Sequence, residues 1–512
     1  MMSRVLGLGR DAVFAALFGA GPAMDAYNVA VRIPNLLRDL FAEGAMSAAF
    51  VPTFTRRLTT EGKVSAWRLG NHVVNALVVV TGTLVLLGIL FAEPLVRIFT
   101  SAQFEQSPGQ LALTIQLARI MLPALIVIAL AAALMGMLHS LRHYFVPALS
   151  PAMLNVVTIA SAFAVVPLMP AFGLAPIVGI AIGTLLGGVA QLALQVPTLY
   201  REGFRYRPRL DWRDEGLRRV LLLMGPGTMG LSATQINIFV NTLLATGAGI
   251  GAVSWLNYAF RLMYLPIGVF GVSIATVVLP AVSRHIAEGD HGRVRKTIAD
   301  GLSLMFMLNV PATIGLIVLA TPIVRVIFER GRFSAADTAA TAAALQFYAL
   351  GLLAYSVVRI VSPTFYALGR SRTPVIVSVM TVGVNAVLNV TLVGVLGFRG
   401  LALGTSIAAI FNAVTLLVLL RRHLGGLDEK RLAGSLARIV AAAAVMGIAA
   451  VLAEGWLAVS LPGASLVRQI LRLAATISVS LAVLAGASWL LRIREFSEGA
   501  ALITARVRRT PR

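Results

Sequence analysis

Cysteine is absent from all 512 residues, which excludes a disulfide framework, an iron–sulfur cluster and any metal site built on thiolates. Charge is nearly as scarce. Only 12% of residues are Asp, Glu, Lys or Arg, while 58% are hydrophobic. A soluble globular protein carries about 25% charged residues because its surface faces water, so this composition cannot clothe two or more soluble domains. Acids are rarer than bases, 21 against 43 Lys and Arg. No low-complexity stretch occurs, and no G-x-x-x-x-G-K-[ST] loop, which argues against ATP as an energy source. No cleavable signal peptide is apparent either, since Arg4, Arg10 and Asp11 interrupt the first apolar run.

What the chain has instead is apolar runs of about 20 residues, the length that crosses a bilayer core. The runs are continuous rather than alternating, and only helices or closed barrels can span lipid, so helices are expected. Polar breaks place spans at 4–20, 25–52, 69–95, 111–138, 146–168 and 172–198. A second group follows at 220–246, 250–282, 297–322, 338–367, 373–396 and 400–420, and a final pair at 434–456 and 466–491. The fold class expected is an all-α integral membrane protein of about 14 transmembrane helices. It divides into an N-lobe over 1–210, a C-lobe over 211–425, and a last pair with a basic cytoplasmic tail over 426–512.

The basic residues test this map independently, because cytoplasmic loops are enriched in Lys and Arg. Alternate loops and the C-terminal tail hold 29 of them and the opposite loops only five (Arg97, Arg325, Arg330, Arg332, Arg399). That asymmetry puts both termini in the cytoplasm. It also accounts for the formal charge of +22 as a topology signal with attraction to anionic lipid headgroups, so no nucleic-acid partner is needed.

The second group of six spans echoes the first. Asn28-Val29-Ala30-Val31-Arg32 matches Asn257-Tyr258-Ala259-Phe260-Arg261, and Pro52-Thr53-Phe54-Thr55-Arg56 matches Pro280-Ala281-Val282-Ser283-Arg284. Gly179-Ile180-Ala181-Ile182-Gly183-Thr184 matches Gly400-Leu401-Ala402-Leu403-Gly404-Thr405. The offsets are 229, 228 and 221, in one order along the chain. Six spans is an even number, so both copies share an orientation, as in transporters whose two lobes rock about a central site.

With Arg438, at the edge of its span, counted in the preceding loop, nine basic residues fall inside spans: Arg4, Arg10, Arg32, Arg38, Arg119, Arg261, Arg359, Arg468 and Arg472. An arginine at a helix centre costs about 2.5–3.5 kcal/mol on insertion scales, so several imply water or an anionic partner. Arg10, Arg32, Arg38 and Arg261 are expected to line one cavity between the lobes. The planar guanidinium binds phosphate or carboxylate through two hydrogen bonds and stays charged, so an anionic, phosphorylated substrate is indicated. For Arg4, Arg119, Arg359, Arg468 and Arg472 the sequence favours snorkelling or a structural ion pair. Asp25, Arg32, Asp39 and Glu43 lie near one face of the second span. Two readings stand for them: neutralising neighbouring arginines, or gating the cavity by switching partners. All six histidines fall in or beside cytoplasmic loops and no nucleophile–base set emerges, which argues against an enzyme and a cofactor.

Several motifs carry a family resemblance. Ser3-Arg4-Val5-Leu6-Gly7, Arg10-Asp11, Phe18-Gly19-Ala20-Gly21 and Asp25-Ala26 run in the order of the MurJ/MviN family. So do Pro34-Asn35-Leu36-Leu37-Arg38, Phe41-Ala42-Glu43-Gly44-Ala45 and Ala49-Phe50-Val51-Pro52. Ser254-Trp255 with Arg261-Leu262 resembles the family's eighth span, and Phe328-Glu329-Arg330-Gly331-Arg332-Phe333 its ninth loop. The resemblance covers nearly the whole chain. It implies a lipid II flippase of the MOP exporter superfamily in the bacterial inner membrane. Such a protein moves the undecaprenyl-diphosphate-linked disaccharide-pentapeptide from the cytoplasmic to the periplasmic leaflet for peptidoglycan synthesis. It also implies that Arg4, Arg10, Arg38 and Arg261 are cavity arginines, which reverses the reading of Arg4, and that Asp25 is the second-span acid. By analogy, the last two spans would shelter the lipid tail in a side groove.

Two features depart from the family. Only Met1 and Met2 precede the Ser-Arg-Val-Leu-Gly motif, where the family has a longer segment, so the first helix is expected to be truncated or its start misassigned. Some members are expected to bind sodium through carboxylates on the seventh and eleventh spans. Here those spans offer Gln235, Asn237 and Asn241, and Asn385 and Asn389. Amides are poor ligands for a hard cation, which leaves Asn385, Asn389 and Thr405 as a weak sodium candidate. The alternatives are an exporter of another polyprenyl-diphosphate-linked sugar, or a membrane-embedded transferase with a catalytic acid at Asp25 or Glu43. A drug-cation exporter would present acids rather than arginines.

Overall fold

The computed structural model describes residues 2–39, 44–463 and 465–497, and every regular element among them is helical. The chain divides into two compact units, residues 1–254 with 330–333 and residues 255–329 with 334–512. The first holds α1 (Met2–Phe18), α2 (Pro22–Arg38), α3 (Gly44–Thr60), α4 (Lys63–Leu90), α5 (Ala92–Phe99), α6 (Ala102–Glu105), α7 (Gln110–Met121), α8 (Ala124–Ser140), α9 (Phe145–Ala164), α10 (Val178–Ala193), α11 (Val196–Arg201) and α12 (Glu215–Thr246). Next come α13 (Ala252–Pro266), which carries the chain into the second unit, α14 (Val272–Ala287), α15 (His291–Val318), α16 (Ala320–Phe328), α17 (Ala335–Ala349), α18 (Leu352–Ala367), α19 (Arg372–Leu396), α20 (Phe398–Leu424), α21 (Glu429–Ser460) and α22 (Leu466–Leu490).

Among the described residues ten helical stretches are long and apolar enough to cross a membrane, or 11 if the bent pair α17–α18 is one span. This is a multi-pass integral membrane protein. The other expected spans map onto α1, onto α2 and α3, and onto α12. α1 has only 17 residues and α2 carries Pro22 at its start and Pro34 within, so neither makes a long uninterrupted apolar window. A count of fourteen is therefore not reached by length and composition alone.

The sequence repeat has a backbone counterpart in each unit. α4 and α15 are both 28 residues and begin 228 residues apart. Each breaks at a single residue, Phe91 (φ −101°, ψ 26°) or Leu319 (φ −99°, ψ 17°). A short amphipathic helix follows, ending in the buried Phe99 or Phe328. The Gly-x-x-x-Gly-Thr motifs lie where the last two helices of each repeat pack. A Cβ on Gly183 would meet Ser161 Cβ at 2.5 Å, and one on Gly404 would meet Asn389 Oδ1 at 2.1 Å. Small residues at these points let backbones approach closely in lipid, where van der Waals packing drives association.

The first unit's core near the start of α4 is aromatic. Phe50, Phe54, Trp67 and Phe204 form a ladder with centroid spacings of 5.4, 5.7 and 5.4 Å. Nearby, Asp214 caps α12 by accepting from Leu217 N (3.0 Å) and pairs with Arg57 Nη1 (3.0 Å). Burial pushes its pKa up, but the Arg57 hydrogen bond, the Leu217 N–H and the Arg57 charge outweigh this and hold it below the usual carboxylate range. The second unit's core runs through α14, α15, α18, α20 and α21, centred on Val282, Ile298, Met305, Val361 and Leu420.

Candidate functional site

Two of the expected cavity arginines share one local construction. Arg10 Nε and Nη2 lie 3.1 and 2.8 Å from Asp11 Oδ1. Arg38 Nε and Nη2 lie 3.0 and 2.8 Å from Asp39 Oδ1. In each case the acid follows its arginine in sequence, so a compact ion pair forms without any tertiary requirement. Arg10 also sits over the Phe14 ring, 5.6 Å from its centroid, and Asp39 Oδ2 accepts from Gln235 Nε2 on α12 at 3.2 Å. Asp11 is buried and the other three are half-buried, with 11–30% of the four side chains' surface exposed. A half-buried ion pair keeps arginine charged and held in place, yet leaves it open to partner exchange with a competing anion. Asp11 is the member the sequence reading missed; its signal was the Arg-Asp dipeptide that recurs at 38–39.

Arg4 is exposed on α1 and Arg32 half-buried on α2. Glu43 lies outside the described residues. Arg261 is exposed on α13, in the second unit, with Tyr264 one turn on and so along the same face. Tyr264 in turn accepts a hydrogen bond from Arg359 on α18, whose guanidinium lies 5.9 Å from the Tyr264 ring centroid. Arg359 thus meets the helix that carries Arg261, which its position in the sequence did not reveal.

Asp25 is 1% exposed. Its Oδ2 accepts from Gly251 N at 2.6 Å, and its Oδ1 accepts from Ser254 N at 2.9 Å and Ser254 Oγ at 2.6 Å. Asn28 Nδ2 adds a bond to Ser254 Oγ at 3.1 Å. The carboxylate therefore caps the first turn of α13, where orphan N–H groups and the helix dipole both favour negative charge.

A model of the family described as lipid II flippase MurJ matches residues 14–492. The chain belongs to that family. It is 36% identical over 488 residues to a probable lipid II flippase MurJ of Rhizobium meliloti, covering 94% of this chain and 90% of that one. It is 35% identical over 457 residues to the probable lipid II flippase MurJ of Vibrio cholerae, covering 87% and 85%. A solved structure of lipid II flippase MurJ in an inward closed conformation superposes with a TM-score of 0.78 at 28% identity, over 96% of this chain and 97% of that one. An inward-facing multidrug resistance MATE transporter of the MOP superfamily shares the fold, with a TM-score of 0.70 at 17% identity over 83% and 96%.

The family motifs acquire physical roles in these contacts. Of the Ser254-Trp255 pair, Ser254 holds Asp25, while Trp255 Nε1 donates to Asp337 Oδ1 at 2.9 Å; Asp337 also closes a capping box with Ser334 at the start of α17. In the Phe328–Phe333 loop, Arg332 N donates to Ala16 O at 2.9 Å, where α1 ends.

The residues of the weak sodium candidate are brought together in the fold. Asn385 and Asn389 are buried, Asn389 Nδ2 donates to Asn385 Oδ1 at 3.0 Å, and Asn385 Nδ2 reaches Thr405 Oγ1 at 3.5 Å. Asn385 Oδ1 and Thr405 Oγ1 thus accept from these amides, and among the described residues no group of three His, Asp or Glu side chains could hold a metal. Arg472 takes the structural role that the sequence favoured, pairing with Glu454 Oε1 at 2.5 Å.

Proposed function

We propose that this chain flips lipid II from the cytoplasmic to the periplasmic leaflet of the bacterial inner membrane, by alternating access of lobes 1–210 and 211–425. The observation that carries the mechanism is the pair of Arg-Asp units at 10–11 and 38–39, read together with family membership. A diphosphate offers bidentate oxygen acceptors that match the guanidinium fork. On arrival it displaces Asp11 and Asp39 from Arg10 and Arg38, and Arg4 and Arg261 complete the cationic lining. Asp39 and Arg32 act as exchange partners when the substrate leaves, and Asp25 holds the start of α13.

The activity is transport rather than catalysis. Three donors already satisfy the Asp25 carboxylate, which makes it an unsuitable general acid. The lipid-linked precursor is the partner the proposal requires. Residues 426–512 are read as the last helix pair with a cytoplasmic tail.

The test is complementation in a bacterium depleted of its own lipid II flippase, with Arg10→Ala, Arg38→Ala and Arg261→Ala checked for expression. Rescue by the parent, lost in each variant, is the expected result. A well-expressed parent that never rescues would transfer the assignment to another polyprenyl-diphosphate-linked sugar. Full rescue by all three variants would make the arginines structural. Sidedness is separable, because a chain without cysteine accepts single reporters. Arg213→Cys is expected to label only after permeabilisation, and Gln106→Cys in intact spheroplasts.

A further inference from the structure

A second cationic site, lined by none of these residues, lies at the start of α4. A cavity of about 930 Å³ is lined there by Arg68, Arg205, Arg207 and Arg209, with Trp67 and one acid, Asp211. Residues 204–211 carry no regular structure, and a basic loop usually reads as a solvated topology signal. Here it is bolted down. Phe204, 4% exposed, packs against the Trp67 ring. Asn71 Nδ2 donates to Arg205 O at 3.0 Å, and Arg207 N donates to Asn71 Oδ1 at 2.7 Å. Asn75 Nδ2 donates to Arg207 O at 2.8 Å and Arg209 O at 3.0 Å, while Tyr206 Oη donates to Asn75 Oδ1 at 2.8 Å. His72 Nδ1 lies 3.3 Å from the Arg209 carbonyl and from the Asp211 amide. Asn71, His72 and Asn75 are each 6–8% exposed. Three buried polar side chains at the start of a membrane span are thus committed to holding one arginine-bearing loop in a single geometry.

Three of the four arginines remain available. Among the described residues the ion pairs on this face join Arg57 to Asp214 and Lys63 to Glu202, and leave Arg68, Arg207 and Arg209 out. Arg205 is held by the carbonyls of Tyr200 and Phe204 and stacks on the Tyr200 ring. The surroundings place the cavity at headgroup level. Tyr200, Tyr206 and Trp212 are 43–48% exposed beside it, the residue types that belt a membrane interface. The exposed apolar Val78, Val79 and Val80 lie farther along α4, roughly 15 Å from Arg68 at the helical rise.

We infer that this cavity is a binding site for the headgroup phosphate of an anionic phospholipid, distinct from the transport arginines. The inference rests on the proposed sidedness, which puts the loop against the anionic cytoplasmic leaflet. The phosphate oxygens meet the guanidinium groups of Arg68, Arg207 and Arg209, which line the cavity together. Asp211 limits the affinity, so that the lipid exchanges.

The test uses purified full-length protein and phosphatidylglycerol against phosphatidylcholine, with lipid retention read by native mass spectrometry. Arg207→Gln/Arg209→Gln is expected to lose preferential retention of phosphatidylglycerol by about fivefold for each charge removed. Asp211→Asn is expected to raise it, a direction that misfolding cannot produce. Arg218→Gln/Arg219→Gln, on exposed neighbours outside the cavity, is expected to leave it unchanged. Equal loss in both double variants would overturn the inference in favour of a diffuse basic field, and no loss in either would overturn it outright. Inorganic phosphate that competes as well as the lipid would overturn the lipid source in favour of a soluble anion. Retention is read in detergent, so it stands apart from complementation and from the Arg213→Cys labelling that tests sidedness.

Discussion

Ser254 donates both its backbone N–H and its hydroxyl to the same carboxylate oxygen of Asp25, at 2.9 and 2.6 Å. With Gly251 N on the other oxygen, the acid satisfies three donors at the start of α13. Asp25→Asn keeps the shape but turns an amide N–H against one of those donors. Leaving a buried donor unmet costs about 1–3 kcal/mol. Thermal unfolding in detergent is expected to show Asp25→Asn well below the parent, with Ser254→Ala, which removes only the hydroxyl, in between. Equal stability of all three would mean that the cap does not hold this helix.

The 330–333 loop is built around two glycines. Gly331 has φ +57°, and a Cβ there would meet Ala16 O at 2.2 Å; Gly19 has φ +65°, and its Cβ would meet Arg332 O at 2.6 Å. Gly331→Ala therefore carries a left-handed backbone penalty of about 1–2 kcal/mol and a clash with backbone that cannot move aside cheaply. Gly109→Ala, at φ +74° with open space around it, carries only the first. Thermal unfolding is expected to rank Gly331→Ala clearly below Gly109→Ala, and the reverse order would refute the close approach.

Glu454 and Arg472 join α21 to α22, with Thr476 Oγ1 donating to Glu454 Oε2 at 3.2 Å. Their side chains are 19% and 16% exposed, so removing one partner strands a charge in a poor dielectric at a cost of about 3–5 kcal/mol. Glu454→Leu is expected to reduce expression and stability sharply. Glu454→Leu/Arg472→Leu is expected to recover most of the loss, since an apolar pair suits lipid. A double variant as poor as the single one would show that the pair contributes more than mutual neutralisation.

Outside the spans, Glu202 accepts from His143 Nε2 at 2.9 Å and from Lys63 Nζ at 3.0 Å. The His143 hydrogen bond first, then the Lys63 one, holds the carboxyl below its ordinary value of 4.5. A depressed carboxylate pKa gives stability that is present above the ordinary value and lost as pH falls through the folded one. The stability difference between the parent and Glu202→Gln is expected to be at most about 1 kcal/mol at neutral pH, as for a solvent-screened pair, and to vanish below the carboxylate range. A difference that persists in acid would place its origin in packing.

By itself the sequence determined the membrane class, the repeat and the family. Each rests on a signal that the chain carries locally: apolar runs long enough for lipid, motifs recurring at offsets of 229, 228 and 221, and ordered motifs from Ser3 to Pro52. The repeat offsets recur in the starts of α4 and α15 because a duplicated sequence refolds the same break at Phe91 and Leu319. The pairing of Arg38 with Asp39 was likewise within reach, since adjacent residues need no fold to meet.

Tertiary structure decided the partners that lie far apart in the chain. Asp25 was legible as an acid, but its commitment to Gly251 and Ser254, more than two hundred residues away, was not. Arg359 reads as a lone intramembrane charge until folding brings it to Tyr264. Asn71, His72 and Asn75 show only a polar start to a span, and the basic loop after Tyr200 shows only a topology signal. Their fit to one another depends on backbone carbonyls, which every residue carries alike, so no residue type could have announced it.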